Sequence, residues 1–118
     1  MSTIREPTFL ILTALAAGSL HGYGVMREVT ALSNGEVNLR ASTLYAALDR
    51  LTEDGLIVVD REEAVDGRLR RYYVLTSEGV AALEAEAVRM RRHATAAVQR
   101  LRAGQANVRQ SRIGPATA

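Results

Sequence analysis

Residues 42–75 read STLYAALDRLTEDGLIVVDREEAVDGRLRRYYVL, and the fold turns on this stretch. Leu44, Leu48 and Leu51 recur at i, i+4 and i+7, one face of a helix, and Gly55 is placed to cap its C-terminal end. Ile57-Val58-Val59 then opens a strand. Arg71-Tyr72-Tyr73-Val74-Leu75 is its β-branched and aromatic partner, and Asp66-Gly67 between them is a turn dipeptide. The pair predicts a hairpin with a longish, charged tip.

Upstream, Pro7 suits the first turn of a helix, where its missing N–H costs nothing. Almost every residue from there to Ala17 is apolar, so this helix is covered on most sides, and Gly18-Ser19 ends it. A second helix is predicted from Tyr23 to Leu32, with Asn34-Gly35 as its stop. Glu36-Val37-Asn38-Leu39 alternates like a very short strand. Downstream, Thr76 is placed as an N-cap, with Glu78 in the first turn. Val80 to Ala103 contains no Gly or Pro, enough for a helix about 36 Å long. Three helices, a hairpin and a long helix predict a mostly α fold with a β-hairpin wing. That is a winged helix-turn-helix domain over residues 1–76, a C-terminal helix over 77–103 and a disordered basic tail over 104–118.

Composition narrows the chemistry. The 118 residues include no cysteine, so no disulfide, thiolate nucleophile or cysteine zinc site can form. Two histidines, His21 and His93, leave little with which to build a metal or triad site, and neither a metal nor a cofactor is expected. Gly22-Tyr23-Gly24 lacks the third glycine of a dinucleotide fingerprint, Arg27 standing in its place. Glu62 and Glu63 point to opposite faces of any strand and make a poor acid/base pair. No enzyme is expected. Phe9–Ala17 resembles the apolar core of a signal peptide, but Arg5 is cancelled by Glu6 and the run is too short to span a bilayer. A buried first helix and a cytoplasmic protein are the expectation.

Charge is uneven. Residues 1–88 hold eight arginines and thirteen acids, a net −5, whereas residues 89–118 hold seven arginines and no acid, +7. All basic residues are arginine, which forks onto phosphates and guanine edges but is also what a GC-rich genome encodes. With Leu44, Leu48 and Leu51 buried, Ser42, Ala46, Asp49, Arg50 and Glu53 face outward, and Thr43 and Tyr45 flank them. The leading half of that surface, preceded by Arg40, carries no acid. This suits a helix that inserts its N-terminal end into the major groove, where the dipole is positive and hydroxyls reach phosphates or base edges. Ser42 could equally cap the helix, and Tyr45 could be a core-edge aromatic. Arg68, Arg70 and Arg71 at the hairpin tip would grip the backbone or minor groove, or pair with Asp60, Glu62 and Glu63 across the strands.

The long helix carries a heptad seam at Val80, Leu83, Ala87, Met90, Ala94, Ala97 and Leu101. Such a stripe must be buried, either on the helix's own body or on a second copy; its length favours a C2 homodimer on a pseudo-palindromic site.

Four motifs carry a resemblance. Ser42-Thr43-Leu44-Tyr45-Ala46-Ala47-Leu48-Asp49-Arg50-Leu51 with Gly55-Leu56-Ile57 resembles the reading helix of PadR-like transcriptional regulators. Leu20-His21-Gly22-Tyr23-Gly24, Asp66-Gly67-Arg68-Leu69-Arg70-Arg71-Tyr72-Tyr73 and Leu75-Thr76-Ser77-Glu78-Gly79 agree with it. The match covers about residues 5–90 and is similar to the short subfamily with one C-terminal helix. The resemblance implies a dimeric winged-helix repressor of neighbouring transporter, detoxification or stress genes, commonly released by a small-molecule effector. It implies that Thr43 and Tyr45 contact DNA and that Arg68, Arg70 and Arg71 grip its backbone. The chain departs from the family at Ala41-Ser42, usually Pro-Gly, and at Ala46, usually Pro; it also has no Trp for a drug-stacking pair. An effector cavity would be lined by residues such as Tyr23, Met26, Met90 or those near His93. The rival reading is a winged-helix dimer that docks proteins instead of DNA, consistent with the acidic balance of residues 1–88.

Overall fold

A computed structural model describes residues 4–113 and divides into two compact units, Met1–Glu86 and Ala87–Ala118. In chain order the elements are α1 (Glu6–Ala16), β1 (Leu20–His21), α2 (Gly22–Leu32), α3 (Ala41–Glu53), β2 (Ile57–Val65), β3 (Arg68–Leu75) and α4 (Ser77–Ile113). The sheet is antiparallel in the order β1-β3-β2.

The core of the first unit collects one face from each helix. Ile11, Leu12 and Leu15 of α1, Val25 and Val29 of α2, and Leu44, Leu48 and Leu51 of α3 close on Ile57 and Tyr73 of the sheet. The i, i+4, i+7 leucines are therefore what fixes α3 against the body, and they turn its opposite side to solvent. Leu83 packs against the same core, so the opening turns of α4 belong to this unit.

Three expectations are corrected. Glu36–Leu39 is a loop and not a strand: Asn34 and Gly35 take positive φ, the Val37 N–H donates to Ser33 Oγ at 2.9 Å, and Asn38 Nδ2 donates to Gly35 O. These local bonds satisfy the backbone without a neighbouring strand. The third strand is instead Leu20–His21, paired with Tyr73 and Tyr72. The hairpin tip is tight, with Asp66 at φ 52° and Gly67 at φ 75°, the left-handed pair that a two-residue primed turn requires. Lastly, α4 does not stop at Ala103. It continues through Gly104 to Ile113 where an aperiodic tail was expected, because one glycine weakens a helix by only about 1 kcal/mol. The remainder of that predicted tail, residues 114–118, lies outside the described residues.

Candidate nucleic-acid interface

The leading end of α3 is open. Arg40 is the N-cap in extended conformation, and no side chain caps the first-turn N–H groups. Ser42 therefore lies within the first turn and is not the cap. Ser42, Thr43, Tyr45 and Ala46 are all exposed, and the first turn contains no acid. Unfilled N–H groups, the positive end of the dipole and two hydroxyls thus share one surface. Asp49 and Arg50 are exposed further along, Arg50 in the last turn.

Tyr45 is 48% exposed, and its ring lies over Gly22 at the start of α2. A Cβ at Gly22 would stand 2.7 Å from the ring's Cζ, so glycine is what lets the aromatic cross there. This contact joins the two helices at the surface, and Tyr45 shares an open cleft of about 460 Å³ with His21, Asp49, Leu69, Arg70, Arg71 and Tyr73. An adjoining cleft of about 710 Å³ is lined by Tyr23, Asp66 and Arg68 among others. Tyr23, put forward for an effector cavity, thus opens on the wing; Met26 packs on the core.

The wing's arginines divide by partner. Arg71 Nε donates to Glu62 Oε2 at 3.1 Å, and that bond raises its pKa further. Glu63 and Asp60 are both taken by Arg61, at 2.7 and 3.5 Å. The Arg61 hydrogen bond holds Glu63 below the usual carboxylate range. Arg61 also donates to Ser19 Oγ, and its guanidinium lies 4.0 Å over the Tyr72 ring. Arg68 and Arg70 make no ion pair among the described residues and are exposed. Of the three wing arginines, then, Arg71 has an exposed carboxylate partner whose contribution solvent screens, whereas Arg68 and Arg70 stand outside any ion pair among the described residues.

His21, Tyr23, Arg27 and Leu69 complete this surface and were not among the predicted DNA contacts. His21 stacks beside Tyr23 at 6.5 Å and tilts against Tyr72, while Arg27 lies over the Tyr23 ring at 5.9 Å. The Leu20-His21-Gly22-Tyr23-Gly24 motif marked the place, but the wing contact depends on the β1–β3 pairing. Burial first, then Arg70 and Arg27, push the His21 imidazole below its ordinary pKa. The unfolded chain therefore binds this proton more readily than the fold does. Stability present above about pH 6.5 should decline as pH falls below it. Urea midpoints at about pH 7 and 5.5 should show this decline, and His21→Gln should flatten it.

Among the described residues no cluster of three or more His, Asp or Glu could hold a metal ion, and no helix is long and apolar enough to cross a membrane. The sequence model of the PadR-like regulators matches residues 11–85, which contain α2, α3 and the whole wing. The chain belongs to the PadR-like family of transcriptional regulators. Transcriptional regulator Rv3488 of Mycobacterium tuberculosis is 41% identical over 73 residues, covering 62% of this chain and 64% of that one. A PadR family regulator from Clostridium difficile superposes with a TM-score of 0.69 at 27% identity, over 82% of this chain and 99% of that one. Bacillus subtilis PadR in complex with operator DNA superposes with a TM-score of 0.62 at 26% identity. That match covers 69% of this PadR-like chain but 46% of the Bacillus protein.

The predicted seam lies on α4. Leu83 is turned toward its own core, whereas Val80, Ala87, Met90, Ala94, Ala97 and Leu101 are exposed. Val98, one position off the heptad, is exposed as well.

Proposed function

We propose that this PadR-like chain is a cytoplasmic repressor that binds a pseudo-palindromic operator as a homodimer. The leading end of α3 enters the major groove, and the wing lies on the neighbouring backbone. One observation carries the reading: Thr43 and Tyr45 stand exposed on an acid-free helix end, beside Arg68 and Arg70, which make no ion pair among the described residues. The complex of Bacillus subtilis PadR with operator DNA supports it by analogy. Support for pairing through α4 comes from Met90, Val98 and Leu101, which are 44%, 46% and 65% exposed on a helix too long to leave its stripe in water. Two α3 helices held at fixed spacing then read two half-sites.

The test is fluorescence anisotropy of the full chain on a duplex from its own upstream region, titrated at several salt concentrations. Affinity should fall steeply with salt. Arg68→Ala with Arg70→Ala should reduce the slope of log K against log salt by about two. Arg71→Ala should change it by less than one, since Glu62 already holds that guanidinium. A salt-insensitive or absent DNA interaction would favour the protein-docking module.

A further inference from the structure

Outside the winged unit the chain carries a second concentration of cations. Between Ala87 and Asn107, α4 holds Arg89, Arg91, Arg92, Arg100 and Arg102 and no Asp or Glu. At 100° per residue, all five fall on one half of the helix. Eleven residues make three turns, so Arg91 and Arg102 line up about 16 Å apart along the axis, as do Arg89 and Arg100. Arg91, Arg92, Arg100 and Arg102 are exposed. Met90, Ala94, Ala97, Val98 and Leu101 occupy the other half. A second copy docked on that apolar half would leave the arginines outward.

Arg91, Arg92, Arg100 and Arg102 have no acidic residue three or four positions away in either direction, so positive charge accumulates on this face. Residues 1–88 mix signs as an ordinary solvated surface does; this segment does not. We infer that the arginine half of α4 is a second nucleic-acid-binding surface, which takes the phosphate backbone without regard to sequence. The inference rests on the proposed DNA-binding function only for the choice of polyanion. A protein partner would need apolar anchors, and Val88 is the single large apolar side chain on the arginine half. A lipid surface would need a row of Leu, Phe or Trp opposite the cations, and the opposite half offers Leu101 alone of these, among alanines, Met90 and Val98. A phosphate backbone asks only for spaced cations.

The experiment replaces Arg91, Arg92, Arg100 and Arg102 together by Gln in the full chain and titrates a duplex of unrelated sequence. Affinity for that duplex should weaken at least about tenfold, and the salt slope should fall by about three. The matching quadruple Lys variant should keep both, because phosphate contacts of this kind need only charge. Unchanged affinity and slope in the Gln variant would overturn the inference. So would a Lys variant that loses binding as fully as Gln while circular dichroism shows its helix intact. Binding of the wild type to phosphatidylglycerol vesicles without binding of the unrelated duplex would assign the face to lipid instead. Failure of the winged-helix reading looks different: operator affinity unmoved by Arg68→Ala with Arg70→Ala, a variant whose α4 is untouched.

Discussion

Gly79→Ala is expected to be the most damaging single-methyl change in this chain. Gly79 is buried in the first turn of α4, against the backbone of Leu56. A Cβ built there overlaps the Leu56 carbonyl oxygen and stands 3.0 Å from its carbon. That carbonyl cannot retreat easily. It accepts the Thr76 N–H at 3.0 Å, and Thr76 Oγ1 donates to Gly55 O at 2.6 Å while accepting the Gly79 N–H. Leu56 leads directly into Ile57, which is buried and paired with Leu75. Relief therefore means breaking the cap or prising α4 from β2. Overpacking against rigid backbone reaches the top of its usual range, about 3 kcal/mol or more. For a domain of this size, that lowers Tm by about 12–20 °C. Gly104→Ala is the control, with nothing within 4 Å of its added Cβ inside α4. It should raise helix stability by about 0.5–1 kcal/mol. Thermal melts of both variants by circular dichroism decide the matter; a Gly79→Ala protein that melts with the wild type would mean that α4 does not seat on Leu56 in solution.

What could be read in advance follows from how local each signal is. Leu44, Leu48 and Leu51 declare a helical face within eight residues, and Asp66-Gly67 names its own turn. Thr76 announces a cap that the structure places on the Gly79 N–H. Leu20–His21 could not be read this way, because two residues have no period and become a strand only by meeting Tyr72 and Tyr73. Which of Asp60, Glu62 and Glu63 meets Arg71 could not be read for a related reason. The ladder slips by one residue between Val59 and Arg61. Continued without the slip, the register at Val59↔Tyr73 would set Arg61 opposite Arg71; the bulge brings Glu62 there instead. A single unpaired residue thus decides which wing arginine is neutralised, and composition around the tip contains no trace of it. Glycine misled in the opposite direction. Gly104 looks like a stop, yet nothing turns there, whereas Gly22 and Gly79 are fixed by neighbours distant in sequence.

Thr43→Glu should separate folding from function, since it moves them in opposite directions. Thr43 is the third residue of α3, exposed, on a helix whose first turn holds no acid and no side-chain cap. A carboxylate there faces the positive end of the dipole and can reach back to the Arg40 N–H, a capping-box contact. It also replaces a β-branched residue by a better helix former. The variant should be more stable by about 0.3–1 kcal/mol, read as a higher urea midpoint. On DNA the same charge meets phosphate where Arg68, Arg70 and the helix dipole attract it. Juxtaposed like charges cost several kcal/mol, so operator affinity should fall at least about a hundredfold. Thr43→Gln keeps the length without the charge and should lose far less, which separates repulsion from a missing hydroxyl contact. Asp49 and Glu53 sit in the second half of the same helix in the wild type, so acids as such are tolerated on α3. A Thr43→Glu protein that gains stability and still binds its operator like the wild type would show that the leading end of α3 never enters the groove.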